Sequence, residues 1–416
     1  MRVAFRGYSM TDAPSMTDDT AAPRSHSLAV ITFWLASGAF AIGVSEFAAM
    51  SLLPYFAAEF GVTSSVAGHA ISAYALGVVV GAPVIAVFAS RFPRKYVLLV
   101  LMAVFALGNL LTAIAPSMWL MNTARFMSGL PHGAYLGIAM LFAADIAGKG
   151  KRAKAVSQVL LGIAIATVIG VPAASAISQI LGWRVGFAIV TLLAFLTIAM
   201  IWRTAPYRGP FPNANPLAEL GALKNRDVLL TLAMGAIGFG GMFAVYGYFS
   251  AAYLEATNAP EWGVSATLIL FGLGGTIGNW ASGLIASGRL LATAALFQII
   301  LGVGAGLYAA AVGDPIAMAA VLFFMGLGGG MCVPLQTRLM DVAGDAQTLA
   351  AAMNHAAFNF ANAFGPWLAG LALAAGWGWG APGLVGVMLS LGGLAIWLVM
   401  FLLERKQRLL QPACAC

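Results

Sequence analysis

Between about residues 29 and 402 the chain is a series of apolar runs, most of them 20 residues or longer and nearly free of charge. A helix crosses the hydrocarbon core of a bilayer in about 20 apolar residues, and such runs have no comparable environment in water. The composition agrees: 61% of the 416 residues are hydrophobic and 8% are charged. A soluble domain averages about 45–50% apolar and about 25% charged. The apolar residues suffice for about twelve crossings at about 20 residues each. This excludes a soluble enzyme, a disordered regulator and a disulfide-stapled module. A membrane β-barrel is also disfavoured, because its strands alternate polar and apolar residues in short segments.

The net charge is +7. A nucleic-acid binder clusters its basic residues on one solvated face, whereas here they lie in short loops between apolar runs. The cysteines are Cys332, Cys414 and Cys416, with no metal-type spacing and too few for a disulfide framework. The first 27 residues are polar and include Asp12, Asp18 and Asp19. They are unlike a signal peptide, so the first apolar run is expected to stay as a membrane helix, whether translation begins at Met1, Met10 or Met16.

Helices are expected at about 29–56, 66–89, 96–115, 118–146, 155–181, 185–203, 227–253, 263–286, 290–311, 315–340, 348–375 and 381–402. Pro54, Pro83, Pro131, Pro172, Pro334 and Pro366 interrupt them. In lipid such breaks are tolerated where neighbouring helices satisfy the freed backbone groups. With the amino terminus inside, 19 of the 21 Lys and Arg residues fall in inside segments. Arg184 is in an outside loop and Arg125 is within a helix. The positive-inside rule then places both termini in the cytoplasm of a multi-pass inner-membrane protein.

The expected fold class is an all-α membrane protein, with twelve transmembrane helices in two six-helix halves. The segments are a polar tail (1–28), the first half (29–203), a Pro-rich cytoplasmic loop (204–226), the second half (227–403) and a tail (404–416). The halves echo each other. Gly81 to Ser90-Arg91 matches Gly278 to Ser287-Gly288-Arg289, and Arg125 to Gly129 matches Phe323 to Gly326, both at an offset near 197. Repeated halves point to alternating-access transport, with the substrate near the midplane between them.

Several motifs resemble those of the major facilitator superfamily, and within it the drug:proton antiporters of the arabinose-efflux-permease-like branch. They are Gly43-Val44-Ser45-Glu46-Phe47 leading to Leu52-Leu53-Pro54, and Gly81-Ala82-Pro83 through Ser90-Arg91-Phe92-Pro93-Arg94-Lys95. The others are Arg125 with Ser128-Gly129-Leu130-Pro131-His132-Gly133, Gly162 with Gly170-Val171-Pro172, and Ala357-Phe358-Asn359 with Gly365. The likeness runs from about residue 29 to 403. It implies the major facilitator fold and gating roles for Gly81, Ser90, Arg91, Arg94, Gly129, Gly170 and Pro172. Two departures stand out: Ser90 occupies the family's usual Asp position and Pro93 a usual Gly, so the charge relay at that loop is altered. Ala173 and Ala174 follow Pro172 where the family's helix 5 motif continues with Gly.

Ionisable residues within the bilayer cost several kcal/mol, about 2.5–3.5 on insertion scales, so the few present are informative. Glu46 is the one acid deep in an apolar helix. Arg125 lies about 10 Å below the outer end of helix 4 at 1.5 Å per residue, with Ser128, Gly129 and His132 on its face. Burial disfavours a charged carboxylate and a nearby cation favours it, so a change of access can toggle such a group. Glu46, Arg125 and His132 are therefore the candidate proton-coupling residues. A static ion pair between helices 1 and 4 is the alternative, and His132 alone has the further option of bonding backbone freed by Pro131.

On helix 11, His355, Asn359 and Asn362 share one face. With Tyr246 on helix 7 they are the candidate substrate-cavity residues, or else interhelical hydrogen-bonding groups. In helix 5, Gly162, Ala166 and Gly170 recur every four residues, which permits close helix approach.

The expected function is proton-coupled efflux of a small solute, such as a sugar or an amphipathic drug. The alternative is proton-coupled import of a small nutrient. The expected partners are that solute, the proton and the lipid bilayer, with no nucleic acid, no cofactor, no metal, no catalytic residue and a monomeric state. A nucleophile elbow, a metal cluster and a phosphate loop are all missing from the sequence.

Overall fold

The computed structural model describes residues 27–89, 91–148, 151–207, 224–286, 288–343 and 347–410. Ser90 lies outside the described residues.

The membrane helices are α1 (Leu28–Phe60), α2 (His69–Ala89), α3 (Arg94–Ala113), α4 (Met118–Ala147), α5 (Lys154–Leu181) and α6 (Trp183–Thr204). They continue as α7 (Arg226–Ala256), α8 (Trp262–Ile285), α9 (Leu290–Ala311), α10 (Pro315–Val342), α11 (Gln347–Ala374) and α12 (Ala381–Leu410). Among the described residues, 11 helices are long and apolar enough to cross a membrane. The remaining one, α11, falls outside that set and carries His355, Asn359 and Asn362. The chain is thus an all-helical, multi-pass membrane protein, as its apolar runs require.

Local chemistry sets the helix ends. Ser27 caps α1 through its hydroxyl, which accepts from the Val30 amide. Gly61 ends the same helix in the left-handed region at φ 63°, a conformation that glycine enters without steric cost. Asp314 caps α10 by accepting from the Ile316 and Ala317 amides. Pro54, Pro83 and Pro366 sit inside continuous helices, contrary to the expectation of a break at each. Breaks do occur elsewhere. Helix α4 is interrupted at Leu130–Pro131, α5 contains a π-helical turn over Ala166–Gly170, and α10 contains a 3₁₀ turn over Gly328–Met331.

The offset of 197 reappears as a packing pattern. A Cβ added at Gly77, Gly81 or Gly129 would strike the backbone oxygen of Phe126, Leu130 or Tyr74, respectively. A Cβ at Gly274, Gly278 or Gly326 would strike that of Phe323, Leu327 or Phe271. Every member of the second set is numbered 197 above its counterpart. The α2–α4 and α8–α10 crossings are therefore the same contact built twice, each with backbone against backbone.

Helices before and after residues 208–223 meet chiefly where α1 packs on α7, α2 on α11 and α5 on α8, with a smaller contact between α4 and α11. The end of the bundle where α1 begins is called the near end here, and the opposite one the far end. Hydrogen bonds crossing between the two sets of helices cluster toward the far end. Ser65 donates to Gly370 O at 2.7 Å and Ser72 to Ala363 O at 3.0 Å. Tyr55 donates to Glu261 Oε2 at 3.2 Å and Gln179 to Glu261 O at 3.1 Å. Among the described residues, the near-end ion pairs are within one set: Arg94 with Asp145 at 3.1 Å, and Arg338 with Glu404.

Candidate functional site

Glu46 lies 18 residues from Leu28 and 14 from Phe60, so about 27 Å and about 21 Å from the two ends of α1. It is 6% exposed. Its helix is held against α5 by the small-residue stripe that the spacing predicts. A Cβ at Gly162 would strike the Ala36 carbonyl, and one at Gly170 would press on Val44 and Phe40. Gly43 faces Ala166 in the same seam, and Pro172 is buried just beyond it. With that side of α1 taken by α5, Ser45 turns to α3 and α4, and Glu46 to α4 and α11.

Arg125 has no exposed surface. Its Nη1 donates to Ser45 Oγ at 3.0 Å, and Ser45 Oγ donates to Asn109 Oδ1 at 2.6 Å. Asn109 is anchored in turn through Nδ2 to Phe105 O at 2.8 Å. The guanidinium lies 4.2 Å from the centre of the Tyr74 ring and 5.4 Å from that of Phe187. Such stacking favours a cation, most strongly when it is desolvated. Nε and Nη2 of Arg125 have no hydrogen-bond partner among the described residues. The static ion pair between Glu46 and Arg125, the alternative reading of the sequence, is not formed among the described residues. Instead the two occupy the same neighbourhood, the cation held by Ser45, the residue before Glu46, and the carboxylate by different partners.

Those partners come from across the bundle. Asn362 of α11 donates through Nδ2 to Glu46 Oε1 at 2.9 Å, bridging 316 positions of sequence. Oε2 of Glu46 is 3.8 Å from His132 Nδ1, which is longer than a hydrogen bond. The same Nδ1 is 3.0 Å from the Tyr74 hydroxyl. His132 opens the second segment of α4, immediately after the Leu130–Pro131 break.

Aromatic rings adjoin this polar cluster. Phe47 stacks on Phe243 at 6.4 Å and meets Tyr246 edge-on at 6.1 Å. Tyr246 lies 4.4 Å from Phe271, and Phe239 connects Phe243 to Phe358. Offset and edge-to-face arrangements at these separations are the favourable ones for aromatic side chains.

The structure thus brings Glu46, Arg125, His132, Tyr246 and Asn362 into one region. Asn359 is on the same face of α11 with its Oδ1 unpartnered among the described residues, while His355 is half-buried nearer the near end. Gly81 and Gly129 serve the α2–α4 contact, and Gly170 the α1–α5 contact. Arg94 pairs with Asp145, and Arg91 is exposed. Tyr74 and Phe187 carry no motif signal in the sequence, and Ser45 stands there only as a member of the Gly43–Phe47 motif. Only the repeat offset marks Tyr74, by setting it against Phe271, a ring of the same shape without a hydroxyl.

The comparisons with known proteins agree in kind. The family model for the Major Facilitator Superfamily matches residues 35–346. The chain is 36% identical over 374 residues to the inner membrane transport protein YdhP of Escherichia coli strain K12, covering 90% of this chain and 95% of that protein. It is 30% identical over 346 residues to a chloramphenicol resistance protein of Streptomyces lividans, covering 82% and 88%. Among solved structures, a mutant of the nucleoside transporter NupG superposes with a TM-score of 0.75 at 13% identity, over 90% of this chain and 100% of that one. That likeness is one of fold.

Proposed function

The chain belongs to the major facilitator superfamily and is a transporter rather than an enzyme; from that premise we propose that it exports a small amphipathic solute in exchange for protons, by alternating access between two six-helix halves. Both termini are then cytoplasmic, the near end faces the cytoplasm, and the far end is the closed external side.

The observation that carries this reading is the position of Glu46. Its carboxyl group joins an α1 side chain to Asn362 of α11, at mid-depth between the two sets of helices. Asn362 suits both protonation states. Its Nδ2 donates to a carboxylate oxygen, and its Oδ1, unpartnered among the described residues, can accept from a protonated acid. The same neighbourhood holds the buried Arg125 with two unpartnered nitrogens. An ionised Glu46 is drawn toward that cation, and a protonated one is released to Asn362. Loading or losing a proton therefore shifts Glu46 between a contact across the two halves, to Asn362, and one within the first half, toward Arg125. This differential interaction is what a ligand-driven conformational change needs.

The substrate class is read from the residues around Glu46. A sugar needs a hydrogen-bonding partner for most of its hydroxyls when it leaves water. The ring cluster of Phe47, Phe239, Phe243, Tyr246, Phe271 and Phe358 beside Glu46 presents mainly apolar ring surface, with Asn359 and Asn362 as polar groups. That suits an amphipathic, ring-containing drug better than a sugar, and the relative named for chloramphenicol resistance supports the same choice. The small-residue seam of α1 on α5, which resembles the antiporter motif, supports export.

Inside-out vesicles with an acid interior test the proposal, with radiolabelled chloramphenicol and arabinose as probes. Proton-driven accumulation of chloramphenicol that is lost in Glu46→Gln is the expected result. Undiminished gradient-driven accumulation in Glu46→Gln rejects the coupling role, and uptake driven by the opposite gradient rejects export.

A further inference from the structure

Tyr74 is fully buried and touches two ionisable residues of α4, Arg125 and His132. Its ring face carries the Arg125 guanidinium at 4.2 Å, and its hydroxyl is 3.0 Å from His132 Nδ1. The hydroxyl has no other partner among the described residues. If it accepted a hydrogen bond from Nδ1–H, its own O–H would be left buried without an acceptor, which is costly. The favoured arrangement therefore has Tyr74 O–H donating to an unprotonated Nδ1, with the imidazole proton on Nε2.

This matters because Nδ1 is also the His132 atom nearest Glu46, 3.8 Å from Oε2. Its lone pair is the natural acceptor for a proton leaving that carboxyl group. With Tyr74 already bonded to it, transfer requires an exchange. The Glu46 O–H bond breaks, an Nδ1–H bond forms, and the Tyr74 hydroxyl rotates from donor to acceptor. We propose that Tyr74 is a positioning residue that fixes the His132 tautomer and keeps Nδ1 occupied, so that the Glu46 proton does not pass to α4 until the site rearranges. This rests on the reading of Glu46 as the proton carrier. The groups around the pair are Tyr74 from α2, Arg125 from α4, Asn362 and His355 from α11, and Tyr246 from α7.

The repeat supplies the variant. Phe271 takes the place of Tyr74 in the second half, with its backbone oxygen seated on Gly326 as that of Tyr74 is on Gly129. The fold thus already uses phenylalanine in this packing, and Tyr74→Phe removes the hydroxyl while keeping the ring. The chain has four histidines, so ¹⁵N-imidazole labelling in nanodiscs, assigned by removing one histidine at a time, resolves His132.

In the wild type the expected signature is a hydrogen-bonded, unprotonated Nδ1 with a protonated Nε2. In Tyr74→Phe that Nδ1 signal should move toward a free or mixed tautomer. Substrate-independent proton leak into proteoliposomes should rise roughly two- to tenfold, the factor for one lost hydrogen bond. A protonated Nδ1 in the wild type overturns the proposal without any variant. So does a folded Tyr74→Phe protein whose His132 signals and leak both match the wild type. Glu46→Gln separates the two readings: if gradient-driven transport survives in it, the role of Glu46 fails, while the His132 signals still report on Tyr74.

Discussion

Gly81 and Gly278 give the strongest quantitative handle on the fold, because the same contact occurs twice. A Cβ at Gly81 would overlap the Leu130 carbonyl oxygen, and one at Gly278 that of Leu327. Ordinary van der Waals contact begins near 3.4 Å, so each helix pair would have to separate by about 1 Å or more to admit alanine. Overpacking of this kind costs about 1–3 kcal/mol. Gly137 and Gly283 are the controls, since a Cβ at either meets nothing within 4 Å. There alanine gains helix propensity, about 1 kcal/mol. The two classes should therefore differ by about 2–4 kcal/mol, the sum of those terms. Unfolding midpoints of the four Gly→Ala variants, compared in one detergent, measure the gap. Gly81→Ala and Gly278→Ala should be destabilised alike, and Gly137→Ala and Gly283→Ala unchanged or improved. Transport should separate the destabilised pair: Gly81→Ala moves α2 and with it Tyr74, whereas Gly278→Ala leaves the Tyr74–His132 contact in place. If all four variants are equally stable, backbone-to-backbone packing at these crossings is wrong.

Arg125→Met should fold, because it loses one hydrogen bond and two ring contacts but also removes a buried charge with two unpartnered nitrogens; the net change is expected within about 2 kcal/mol. It should nonetheless abolish gradient-driven transport, and a variant that transports normally would show that the cation serves packing alone. At the far end, Tyr55→Phe deletes the bond to Glu261 and should raise the population opened on that side roughly two- to tenfold, as expected for one hydrogen bond. Spin-label distances between the far ends of α1 and α8 read this directly, and an unchanged distribution would remove the contact from the closing set.

Much of this protein is decided by local, additive properties that the sequence displays. Hydropathy over about 20 residues places each helix in the bilayer, and a glycine recurring at an offset of 197 marks a contact built twice. Even so, Pro54, Pro83 and Pro366 lie in unbroken helices, because tertiary packing can compensate for an amide that proline lacks. Glu46, Arg125 and His132 stand out in the sequence for the cost of burying them, and they do converge.

Their bonding is another matter. Charge alone pairs Glu46 with Arg125, yet the carboxyl group bonds Asn362 and the cation bonds Ser45 and lies against Tyr74 and Phe187. Hydrogen bonds form or fail within a few tenths of an ångström. The relative rotation and spacing of α1, α2, α4 and α11 set those distances, and only glycine-tight packing between helices far apart in sequence fixes that geometry.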